Sequence, residues 1–139
     1  MLKLNASTFL SLFFLLLWHC GICQTKDSTL QYDIAVSFGS SCCGVPNAAP
    51  LQKAIVQFKK QQHIKKIRAE RISPMGKEGE YIMGFKLQSL KPSQRKKMKR
   101  IIQSVAAKLK DKGYATTTEN YIIELKQLPP QATIKKIYF

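Results

Sequence analysis

The sequence predicts a single α+β domain, and three observations point to it. Two segments, Leu30 to Phe38 and Glu80 to Leu87, alternate apolar and polar residues with the period of half-buried strands. Two others, near 50–62 and 92–112, repeat apolar residues at helical spacing. Between and after them lie charged, β-branched stretches suited to further strands. A length of 139 residues with 45% hydrophobic content fits one domain and no second.

The first strand is expected to place Tyr32, Ile34, Val36 and Phe38 on one face, with Asp33, Ala35 and Ser37 on the other. The segment from Gly39 to Asn47 is rich in small residues and turn formers and reads as a loop. Asn47 suits the cap of a helix that tolerates Pro50 in its first turn, with Leu51, Ala54, Ile55 and Phe58 as its apolar stripe. Ile64 to Ile72 reads as a strand near a sheet edge, where its lysines discourage further pairing. Ser73-Pro74-Met75-Gly76 is read as a type II turn leading to the strand with Tyr81, Met83, Phe85 and Leu87 on one face.

The longest helix is entered at Lys91-Pro92-Ser93 and carries Met98, Ile101, Ile102, Val105 and Leu109, with Gly113 as its stop. Tyr121 to Leu125 and Thr133 to Phe139 are both candidate strands, separated by Pro129-Pro130, and either could join the main sheet. The order is therefore the ferredoxin-like βαββαβ arrangement: an antiparallel sheet with two helices on one face and a candidate extra C-terminal strand. The first and third strands are expected at its centre.

Ahead of this domain, Met1 to Asn5 is a short basic start, and Phe9 to Trp18 is an apolar run. This is the layout of a secretory signal. The run is shorter than the roughly 20 residues a bilayer-spanning helix needs, so no transmembrane segment is expected after signal removal. Gly21 and Cys23 place small residues before Gln24, giving a signal over 1–23, a linker over 24–29 and the domain over 30–139. Lipidation at Cys20 or Cys23 is the alternative, although His19 and Ile22 stand where a lipoprotein signal has a small residue. The expected location is periplasmic or secreted.

The formal net charge is +15, of which Lys3 contributes one, while all eight acidic residues lie from Asp27 onward. Such an excess favours anionic partners, namely phosphate-rich polymers, lipid headgroups or acidic glycans, although it also serves solubility. The candidate anion-binding residues are Lys65, Lys66 and Arg68 around the second strand and Lys96, Lys97, Lys99 and Arg100 on the long helix. The segment Gly79 to Phe85 departs from the aromatic signature of RNA-recognition domains, so no specific nucleic acid is expected as a partner.

No nucleophile elbow, HExxH, Walker loop or GxGxxG occurs, and enzyme readings start low. His63, the only histidine downstream of the signal, falls at a helix end, where an imidazolium meets the helix dipole in a structural role. Glu70, Glu78 and Glu80 flank the hairpin and are expected to form surface ion pairs.

Cys42-Cys43 is the remaining constellation. A helix N-terminus after this loop would lower the thiol pKa values and favour thiolate, the form that binds soft metals and attacks disulfides. Here the chain resembles the heavy-metal-associated domains, ferredoxin-like modules that bind Cu(I) or similar ions through two loop cysteines, with S-S-C-C-G in place of M-x-C-x-x-C. That resemblance implies Cys42 and Cys43 as ligands for Cu(I) or another soft metal. The segment is also similar to small uncharacterised exported bacterial proteins with a cysteine pair, which implies no function. Structural alternatives are a vicinal disulfide, pairing with another chain, or plain buried residues.

Overall fold

A computed structural model describes residues 28–139. The expected export signal, its expected cleavage after Cys23 and the alternatives at Cys20 and Cys23 lie outside the described residues. In chain order the elements are β1 (Thr29–Ser40), α1 (Ala49–Gln61), β2 (Arg68–Ser73), β3 (Tyr81–Lys86), α2 (Pro92–Ala106), β4 (Gly113–Glu124), a 3-10 turn (Leu125–Gln127) and β5 (Thr133–Tyr138). The five strands form one antiparallel sheet in the order β4-β1-β3-β2-β5. β1 and β3 are hydrogen-bonded neighbours, with Val36 opposite Met83 and Phe38 opposite Tyr81.

Both helices lie against one face of this sheet. Leu51, Ile55 and Phe58 of α1 and Met98, Ile102 and Ala106 of α2 join Ile34, Val36, Phe38, Met83 and Phe85 in one buried cluster. Each fully buried aliphatic or aromatic side chain contributes about 1.5–3 kcal/mol relative to exposure. The helix ends differ from the simple stop signals. α1 closes with His63 in a left-handed conformation (φ 50), its N–H donating to the Lys60 carbonyl while the Ile64 N–H donates to that of Lys59. These are the two bonds of a Schellman motif, a place glycine usually fills. α2 ends at Ala106, short of the 112 expected, and Gly113 opens β4 instead of stopping the helix.

The opposite face is covered by the chain itself. β4 and β5 occupy opposite sheet edges, so the connection from Leu125 to Ala132 must cross the sheet. Leu128 and Ala132 of this strap, with Met75, pack on a second cluster of Tyr32, Ala35, Ile72, Ile82 and Ile123. The two candidate C-terminal strands therefore both join the sheet, one at each edge.

Four expectations are corrected. Tyr32 leaves the face shared by Ile34, Val36 and Phe38 and packs in the second cluster. The β1–β4 ladder skips the Asp33 and Asn120 pair, and Asn120 is left-handed (φ 49), a conformation asparagine tolerates. The change of face in β1 falls at Asp33, where that ladder is interrupted. β2 begins at Arg68: Ile64 closes the α1 terminus through its N–H to the Lys59 carbonyl, and Ile67 exchanges both backbone bonds with Phe139 just ahead of the strand. It is an interior strand, since β5 pairs along its outer side. Finally, the hairpin loop closes between the Met75 N–H and the Glu80 carbonyl at 2.7 Å, and the left-handed glycine is Gly79, so Ser73 to Gly76 does not form the expected type II turn.

Candidate functional site

β2, β3 and β5 bring their charged residues together on the strap-covered face. Glu70 lies opposite Gly84 of β3 and Lys136 of β5, and Arg68 lies opposite Lys86 and Tyr138. Glu70 is 2% exposed, which corrects the expectation of a surface ion pair. Its Oε1 accepts from Arg68 Nη2 at 2.6 Å and from Lys86 Nζ at 3.2 Å, and its Oε2 accepts from the Tyr32 hydroxyl at 2.9 Å. Burial alone would push this carboxyl up. The hydrogen bonds from Arg68, Tyr32 and Lys86 outweigh burial and hold it below the usual carboxylate range. Burial and the bond to Glu70 in turn push the Tyr32 phenol well above its ordinary value.

Gly84 makes the contact between Tyr32 and Glu70 geometrically open. The Tyr32 ring lies across β3 where Gly84 has no side chain, and a Cβ there would overlap the ring. Lys86 Nζ also sits 5.3 Å from the centre of that ring. Hydrophobic alternation alone could not locate this group. A lone glutamate in a basic strand and a glycine in an apolar one were its only traces in the sequence.

Beside the cluster, Lys66, Arg68, Lys86, Gln88, Ser89 and Tyr138 line an open hollow of about 430 Å³. Lys66 Nζ stands 3.7 Å from the centre of the Tyr138 ring, a cation–π contact. A second hollow, about 550 Å³, lies between the end of α1 and the start of α2. It takes in His63, Lys65, Lys66, Ser89 and Lys91, so the two share Lys66 and Ser89. A third, about 420 Å³, lies between α2 and β4 and is lined by Arg95, Lys96, Lys99, Arg100, Gln103 and Glu119. Lys99 Nζ donates to Glu119 at 2.7 Å and holds that carboxyl below its ordinary value.

The seven candidate anion-binding residues therefore divide between two regions. Lys65, Lys66 and Arg68 stand at the β2 end of the sheet, and Lys96, Lys99 and Arg100 stand on the α2 hollow. Lys97 is exposed on α2 and lines none of these three hollows. Lys86 and Tyr138, absent from the sequence reading, complete the first region.

Cys42 and Cys43 are both exposed, with free thiols. Ser40 Oγ accepts the Gly44 N–H at 3.3 Å and closes the small loop that presents them. The expected lowering of the Cys42 thiol is not found. The hydrogen bond with Cys43 pushes the Cys42 thiol up, and α1 begins only at Ala49. The Asn47 side chain accepts the Ala49 N–H at 2.9 Å, so the helix end is capped by Asn47 while the cysteines stand further back.

Among the described residues no helix is long and apolar enough to cross a membrane. No protein-family model matches the chain, and neither curated proteins nor solved structures give a match.

Proposed function

We propose that this chain is an exported, non-enzymatic binding domain for an anionic polymer or surface outside the cytoplasm. The observation that carries the reading is the pair of adjoining cationic hollows at the end of β2, joined through Lys66 and Ser89. The four ion pairs among the described residues engage Arg68, Lys86, Lys99 and Lys126. Lys65, Lys66, Lys96, Lys97 and Arg100 thus carry charge without a carboxylate, the condition for attracting a polyanion. The order β4-β1-β3-β2 with both helices on one face supports taking the core as a ferredoxin-like unit extended by β5.

Salt titration tests the proposal. Binding to polyphosphate or to phosphatidylglycerol-containing vesicles should weaken about ten- to a hundredfold between roughly 50 and 200 mM salt, as a few phosphate contacts require. Absent or salt-independent binding would reduce the charge to a solubility feature.

A second reading is a soft-metal or redox site at Cys42-Cys43. Its support is that two adjacent free thiols are both exposed on one short loop. Cu(I) uptake by the wild type, lost in the double Cys→Ser variant, would favour it. Equal uptake by both would eliminate it.

A further inference from the structure

Resting on the anion-binding reading, we propose that the hollow between Lys66, Arg68 and Lys86 is a discrete site for a phosphomonoester group, with Glu70 as the residue that positions its cations. The argument begins with charge. Three cations meet one carboxylate in and beneath the hollow, leaving two positive charges uncompensated. A phosphomonoester carries about −1.5 to −2 at neutral pH and offers three acceptor oxygens, whereas a carboxylate carries one charge and two.

Orientation is the second strand of the argument. Arg68 and Lys86 come from adjacent strands at paired positions, and both are tied to the buried Glu70. Glu70 is itself held from behind by Tyr32. Two otherwise mobile cations are thereby set in place before a ligand arrives, which lowers the entropy lost on binding. Arg68 Nε is buried and has no acceptor, and a desolvated donor left unmatched is costly. Arg68 itself lines the hollow. Lys66 is steadied separately, over the Tyr138 ring, and Gln88 and Ser89 add neutral polar groups at the rim. The α2 hollow also holds a buried guanidinium nitrogen without a partner, Arg95 Nε, but it lacks the carboxylate scaffold: Lys99 is committed to Glu119, and among the described residues no buried carboxylate stands beneath Lys96 and Arg100.

Calorimetric titration of the full chain with glucose 6-phosphate should show saturable one-to-one binding, with glucose and acetate at least about tenfold weaker. Arg68→Ala and Lys86→Ala should each weaken it about tenfold or more, while Lys96→Ala and Arg100→Ala change it less than about threefold. Lys66→Ala leaves the Glu70 cluster intact and should also weaken binding about tenfold, which keeps the test decisive if the Arg68 variant fails to fold. Vesicles containing phosphatidic acid separate the two sources of the same group. Their displacement by glucose 6-phosphate places the lipid headgroup in this hollow. Vesicle binding that soluble phosphate never displaces overturns a shared site. Equal losses from α2 and hollow variants, or no saturable binding while polyphosphate still binds, overturns this inference but leaves the broader proposal standing. Loss of both soluble and polymer binding in the wild type would overturn the two together.

Discussion

The Tyr32 hydroxyl donates a 2.9 Å hydrogen bond to Glu70 across β3, over the position where Gly84 lacks a side chain. Two residues 38 apart in sequence thus meet because Tyr32 leaves the face of Ile34, Val36 and Phe38 and joins the strap-covered one.

Gly84→Ala should break the relationship. The added methyl overlaps the Tyr32 ring, the ring must move, and the hydroxyl leaves Glu70. Overpacking of this kind costs about 1–3 kcal/mol. Urea denaturation of the two proteins measures it, and an unchanged midpoint would show that the ring moves freely.

Glu70 should make stability depend on acid pH. Its folded-state pKa lies below the unfolded value of about 4.3, so its stabilisation is fully present above that pH. It is lost as pH falls through the lower, folded value. Glu70→Gln should therefore be less stable than wild type near pH 7 and show a shallower decline below pH ~4.3. Glu119 is also lowered, but it is present in both proteins and does not enter the difference. Parallel declines would contradict the assignment.

His63→Gly should stabilise the protein by about 0.5–1 kcal/mol. His63 holds a left-handed backbone (φ 50) at the end of α1, and glycine adopts that conformation without the Cβ penalty. His63 is exposed, so little packing is lost. A lower thermal midpoint in the variant would show that the imidazole contributes more than the strain it imposes.

The double Cys42→Ser, Cys43→Ser variant should unfold within about 0.5 kcal/mol of the wild type under reducing conditions, as surface substitutions do. Both side chains are exposed in a loop outside the two buried clusters. A larger loss would assign the pair a structural role.

Local pattern was a good guide wherever one element met one buried face. The α1 stripe Leu51, Ile55 and Phe58 and the β3 set Tyr81, Met83 and Phe85 are buried as their spacing requires. Element ends were less legible. Thr116 to Thr118 carries no apolar alternation, so the first half of β4, whose residues 113–119 pair with β1, did not register as strand. Of the basic residues singled out, Lys66 and Arg68 do share a hollow, but their companions Lys86 and Tyr138 come from other strands.

The sequence by itself determined the α+β class, both helices and the cationic character, because period and charge are properties of neighbouring residues. It also set out the export signal and the cysteine pair as expectations. Only the tertiary structure decided which charges meet. Pairing β3 between β1 and β2 brings Arg68, Lys86 and Tyr32 onto one carboxylate, and β5 along the outer side of β2 brings Tyr138 beside Arg68. The physical reason is that a buried charge is tolerated only where several donors converge on it, and convergence depends on strand register.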